Sequence, residues 1–101
     1  MKEDPIKLSI KILSKEDILL QIKLSRAITP ADLANIKFPK VGGQGLIISG
    51  RAPIWLYCYV LHHYLHLFQY VAIYDPKQGG AVVIASHHPS YQVGQIIRGE
   101  F

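Results

Sequence analysis

From Ala52 to Tyr74 the chain carries no Asp, Glu, Lys or Arg. An uncharged stretch of that length suits either a bilayer or the interior of a fold. The bilayer fits poorly. Pro53 stands at the start, His62, His63, His66 and Gln69 run through the middle, and the character changes from helix-forming to β-branched near Tyr70. Ionisable side chains at membrane depth are costly. A helix from about Pro53 to Phe68 followed by a strand at Val71–Tyr74 accounts for the pattern. This helix is apolar nearly all round, so it is expected to lie between a sheet and a partner.

The run Gly45-Leu46-Ile47-Ile48-Ser49-Gly50 in front of it is continuously apolar, as in a central strand covered on both faces. Strand, helix and strand then make a right-handed parallel βαβ unit. Upstream, Ile6, Leu8, Ile10 and Ile12 alternate with polar residues, and Ile18, Leu20, Ile22 and Leu24 repeat the pattern with Leu19 as an apolar exception. Two period-two runs around Ser14-Lys15-Glu16-Asp17 read as a β-hairpin with one solvated face. Thr29-Pro30-Ala31-Asp32 has the form of a helix start and predicts a short helix closed by Pro39 and the glycines after Val41. Ala81–Ala85 reads as a further strand and Val93–Ile97 as a last short one. The fold class is α/β, a small Rossmann-like sandwich with a mixed sheet, an N-terminal β-hairpin and a central parallel βαβ unit.

The chain has 101 residues, 50% of them hydrophobic, and a mean hydropathy of +0.19, enough for one domain over residues 1–101. A chain of this size buries roughly 60–65% of its unfolded surface. That leaves little room for a deep self-contained site, and a site built across copies of the chain is expected. A net charge of +4 and a pI near 9.3 suit either a polyanionic partner or a solvated basic surface. The single cysteine, Cys58, excludes an internal disulfide and a Cys-rich zinc site, reads as filler in the apolar helix, and fits a reducing cytoplasm. The polar start Met1-Lys2-Glu3-Asp4-Pro5 lacks the apolar run of a secretory signal.

Ligands of parallel βα units sit outside the carboxyl ends of the strands, which here are Ser49-Gly50-Arg51 and Tyr74-Asp75-Pro76. Gly50 permits close backbone approach, and amides at the helix start favour an anion, so this loop reads as a phosphate cradle or as a plain strand-to-helix turn. Arg51 suits a bidentate phosphate contact and Lys77 a point charge, although each is equally readable as a surface cation. His62 and His66, four apart, share one face of a continuous helix and suit a metal, with no HExxH glutamate beside them. His63, His66, His87 and His88 are as readily structural or exposed. A histidine with Asp75 makes a proton-transfer pair, and RNA supplies its own nucleophile in the ribose 2′-hydroxyl.

Three segments then come together: Ile48-Ser49-Gly50-Arg51-Ala52-Pro53-Ile54-Trp55-Leu56 with Leu61-His62, Val71-Ala72-Ile73-Tyr74-Asp75-Pro76, and Gly80-Ala81-Val82-Val83-Ile84-Ala85-Ser86-His87. In order and spacing they resemble the small CRISPR-associated ring nucleases of the Csx-three type, over about Leu46 to Val93. The resemblance implies a fold related to the CRISPR-associated Rossmann-fold (CARF) domains. It implies a homodimer that pairs into a tetramer around cyclic tetra-adenylate and linearises it with manganese (Mn2+) support. It places catalysis on His62 and Asp75, which also become the tentative metal ligands, and ligand contact on Ser49, Gly50, Arg51 and Lys77. The family commonly has arginine at the position of Lys77, and the link Tyr64–Tyr70 departs from the family's pattern. No role follows for Ser86 and His87.

The leading expectation is a metal-dependent phosphodiesterase acting on cyclic tetra-adenylate in the cytoplasm, with no membrane or duplex DNA among its partners. The alternatives are a non-catalytic sensor or sponge for the cyclic nucleotide and a manganese-dependent RNA exonuclease.

Overall fold

The computed structural model describes residues 4–101, so the Met1-Lys2-Glu3 part of the export argument lies outside the described residues. Strands β1 (Ile6–Ile12), β2 (Asp17–Leu24), β3 (Gly43–Ser49), β4 (Phe68–Asp75), β5 (Gly80–Ser86) and β6 (Ile96–Arg98) form one six-stranded sheet in sequence order. β1 and β2 are the expected hairpin, antiparallel with Ile6 opposite Leu24 and Ile12 opposite Ile18. β3 and β4 are parallel and joined by α1 (Ile54–Tyr64), which is the expected βαβ unit. β2 and β3 are parallel as well, a second crossover that the sequence pattern did not announce. It runs through a 3-10 helix, Pro30–Asn35, in which the Asp32 carboxylate accepts from the Thr29 backbone N–H at 2.8 Å. β5 and β6 return antiparallel. No helix among the described residues is long and apolar enough to cross a membrane.

Alternation along the strands divides the core. On one face Leu20, Ile22, Leu46, Ile48 and Val71 pack under Leu56, Val60 and Tyr64 of α1. On the other face lie Leu19, Ile47, Tyr70, Ala72, Ala81 and Val83, covered by Tyr91, Ile97 and Phe101. Leu19, the exception in its strand, thus points into the second cluster and is 3% exposed. The hairpin face expected to be solvated is buried at this point. Helical structure covers one side only and the chain's own final segment covers the other, so the sheet is not sandwiched between two helical layers.

α1 ends four residues before the expected Phe68. Tyr64 is fully buried and its hydroxyl donates to the Pro39 carbonyl, while Leu67 N–H closes a turn on the Tyr64 carbonyl at 3.0 Å. Phe68 is then free to start β4 opposite Gly43. Two consequences follow. His66 lies in the turn rather than on the helix, so the continuous face that would join it to His62 is absent. α1 also buries only one side, leaving Ile54 78% and Tyr59 40% exposed. Cys58 is exposed on that open side, not core filler.

Candidate functional site

Because β3 and β4 are parallel and in register, with Ile48 opposite Ile73, their carboxyl ends coincide. Ser49, Gly50 and Arg51 therefore meet Tyr74, Asp75 and Pro76 at one edge of the sheet. A cleft of about 330 Å³ opens there between Gly50, Arg51, Tyr57, Tyr74, Pro76 and Phe101. This is near the lower end of the roughly 300–1,000 Å³ typical of small-molecule sites. Arg51 is exposed and Ser49 is buried.

Gly50 has a reason that the sequence hid. Its φ is +120°, and a Cβ built there would stand 2.2 Å from the Ile22 carbonyl oxygen. The close approach that demands glycine is thus to β2, not to a ligand. The Tyr57 hydroxyl donates to the Gly50 carbonyl and ties the loop to α1. Burial pushes the Tyr57 phenol above its ordinary pKa, which keeps that donor protonated. No side chain caps the amino end of α1.

Asp75 begins a single 3-10 turn, Pro76–Gln78, and its Oδ1 accepts from the Lys77 backbone N–H at 2.9 Å. This small-ring turn sets the direction in which exposed Lys77 leaves the strand end. Arg98 of β6 braces the same turn by donating from Nη1 to the Gln78 carbonyl at 2.8 Å. Arg98 is a third cation at this edge, contributed by a strand whose neighbour could not be read locally.

The histidines collect at the other edge. His62 and His63 occupy the last turn of α1, His66 the turn before β4, and His87 and His88 follow β5, whose end lies beside the start of β4. From Ile54 to His62 the helix rises roughly 12 Å along its axis. His62 and Asp75 therefore do not meet within one chain, and one chain does not bring them to a single metal ion. Among the described residues no group of three His, Cys, Asp or Glu side chains is placed to hold a metal. The expected manganese pair does not fit the geometry of one protomer.

Packing accounts for several of the remaining candidates. His63 stacks on Phe38, with ring centroids 3.8 Å apart and planes 8° from parallel. Ser86 Oγ donates to the Tyr91 carbonyl at 2.6 Å and accepts from the His88 N–H at 3.0 Å, so it organises the turn after β5. His88 Nδ1 accepts from the Ser90 N–H at 3.0 Å and its ring meets Tyr91 edge on. His62 and His87 remain exposed. Tyr57, Phe101 and Arg98 had no assigned part in the expected site, and Tyr74 entered it only as part of a strand end.

Two comparisons with known proteins place the chain in a family. The chain is 35% identical over 104 residues, 98% of this chain and 93% of the other, to an uncharacterized protein of Aquifex aeolicus (strain VF5). The profile of the CRISPR-associated protein (Cas_csx3) family matches residues 21–98, from the middle of β2 to the end of β6, and so takes in both edges of the sheet. The match covers well over half of the chain, and the chain belongs to the CRISPR-associated Csx3 family.

Proposed function

We propose that this protein is a ring nuclease that binds and linearises cyclic tetra-adenylate, the messenger of type III CRISPR signalling, and so ends the antiviral response. The observation that carries the reading is that Arg51 and the turn after Asp75, through Pro76, line one cleft at the carboxyl edge of the sheet, with Lys77 next in that turn, in a chain of this family. The CARF kinship and a cytoplasmic location belong to the same reading.

Cleavage of RNA needs little from the protein. The ribose 2′-oxygen bonds to the adjacent phosphorus, the bond from phosphorus to the 5′-oxygen breaks, and the products are a 2′,3′-cyclic phosphate and a 5′-hydroxyl. One proton leaves the 2′-oxygen and one reaches the 5′-oxygen. Alignment and neutralisation of the phosphorane supply most of the acceleration. Arg51 and Lys77 hold the phosphate, with the main chain of Lys77 positioned by Asp75. His62, exposed on the last turn of α1, moves the protons. It reaches the phosphate from a second copy stacked end to end, histidine edge on cationic edge, where Asp75 orients it.

A ring of four nucleotides exceeds a cleft of about 330 Å³, which favours several copies around one ring. The open apolar side of α1, with Ile54, Cys58 and Leu61 beside Ile73 and Ile84, suits pairing with a second copy, since an isologous contact needs a self-complementary patch. A tetramer of two such dimers then brings the unlike edges together. No step in this account runs through manganese.

Incubation of the protein with cyclic tetra-adenylate, with manganese or with chelator, followed by chromatography, is expected to give linear adenylates. An intact ring recovered free of protein sinks the reading. A second reading, a sensor or sponge, draws on the separation of His62 from Asp75 and on lysine at position 77. An intact ring that co-elutes with the protein selects it.

A further inference from the structure

The cleft has a wall that phosphate chemistry does not use. Beside Gly50 and Arg51 it is lined by Tyr57, Tyr74 and Phe101, three rings from α1, from β4 and from the segment after β6. Tyr74 and Phe101 meet edge to face, with centroids 5.7 Å apart and planes at 79°. Gly99 makes room for this arrangement. Its φ is +147°, and a Cβ there would stand 3.0 Å from the tip of the Phe101 ring. The Tyr57 hydroxyl is held by the Gly50 carbonyl, which fixes its ring at the side of the cleft. Aromatic surface next to a guanidinium is the composition of a nucleotide site: a base has a π-face for stacking, and its phosphate pairs with the cation.

We propose that Tyr74 and Phe101, steadied by Tyr57, form a one-sided aromatic clamp, a wall on which one base of the nucleotide whose phosphate Arg51 holds is stacked. The inference rests on the ring-nuclease reading and deepens it, because it names what a base adds to a bare phosphodiester in the same cleft. The cations cannot make that distinction, since phosphates are alike in every sequence. A volume of about 330 Å³ takes one nucleotide, so each copy reads one base of the ring. Tyr74 and Phe101 are specificity residues and take no part in proton transfer.

The test compares adenosine 5′-monophosphate with ribose 5-phosphate, by titration calorimetry on the full chain. The wild type is expected to bind the nucleotide about tenfold or more tighter, the usual scale of base stacking on an aromatic side chain. Phe101→Ala removes most of that advantage and leaves ribose 5-phosphate binding unchanged. Phe101→Leu, which keeps an apolar wall, also loses the advantage, and Phe101→Trp restores it. Arg51→Ala weakens both ligands. With the cyclic ring, Phe101→Ala raises KM and leaves kcat in place. Equal binding of the two probes by the wild type overturns the clamp, as does a Phe101→Ala variant that cleaves the ring with unchanged KM. A protein that does not cleave the ring, yet prefers the nucleotide through Phe101, upholds the clamp and overturns the nuclease.

Discussion

The two edges of the β3–α1–β4 unit share a sheet and little else. At the carboxyl edge stand Arg51, Asp75, Lys77 and Arg98, with a cleft there that Arg51, Pro76 and an aromatic wall line. At the amino edge stand all five histidines. The first edge has what binds a phosphate and lacks an imidazole to move a proton. The second has imidazoles, of which His63 is stacked on Phe38 and His88 is held by Ser90, while His62 is free at the surface. Residues that one small chain holds at opposite ends of a sheet do not form one site within that chain; the shared site proposed above requires contacts that join unlike surfaces of identical copies.

The sharpest way to break this comparison is to inactivate each edge separately. His62→Ala and Asp75→Ala are each expected to lower ring cleavage by about a hundredfold or more, the scale of a lost proton-transfer group. Mixing the two inactive proteins should return a measurable part of the rate, because a shared site then pairs an intact His62 with an intact Asp75. A mixture as inactive as its components would place both residues in one protomer's site, contrary to the separation along α1.

Stability offers the next contrast. Gly50→Ala forces a Cβ against the Ile22 carbonyl at a φ of +120°, and is expected to destabilise the carboxyl edge by about 1–3 kcal/mol in denaturant unfolding. An unchanged midpoint would show that β2 yields at little cost. At the amino edge, Tyr64→Phe removes the bond to the Pro39 carbonyl and is expected to cost about 0.5–1.5 kcal/mol at neutral pH. Burial pushes the Tyr64 phenol up from 10.0 to about 12. The unfolded chain therefore releases this proton from about pH 10 while the native state keeps it. Stability is whole below pH 10 and falls as pH rises towards 12. Tyr64→Phe should flatten that alkaline fall, and an unaltered slope would assign it to other groups.

The smallest effect is expected at position 77. Lys77→Arg exchanges a point charge for a planar fork, and should tighten binding of the ring by roughly two- to fivefold while leaving the melting temperature unchanged. Weaker binding would mean that Lys77 faces away from the phosphate.

The hairpin and the parallel unit were legible because each residue's face follows from a period of two or 3.6. Ile6 to Ile12 carry the period of two, whereas Leu46 to Ile48 were legible as the unbroken apolar run of a strand covered on both faces. The second parallel crossover was not legible, since the segment between β2 and β3 holds only a 3-10 turn and has no long periodic run. Gly50 was read correctly as a place of close approach, but the approaching group was β2. Cys58 was misjudged because an apolar helix looks alike whether its far side is core or open surface, and the length of α1 because the turn of Leu67 onto the Tyr64 carbonyl leaves no mark in an apolar run.

What the sequence by itself determined is the set of strands, the helix between two parallel ones, and hence the meeting of the strand ends that carry Arg51 and Asp75 at one edge. That meeting follows from topology, because parallel neighbours end on the same side. Only the tertiary structure decided that His62 stands at the far end of α1, that Ile22 crowds Gly50, and that Phe101 returns to close the cleft on Tyr74. These relations join residues distant along the chain, and they depend on how packed elements lie against one another, which local spacing does not record.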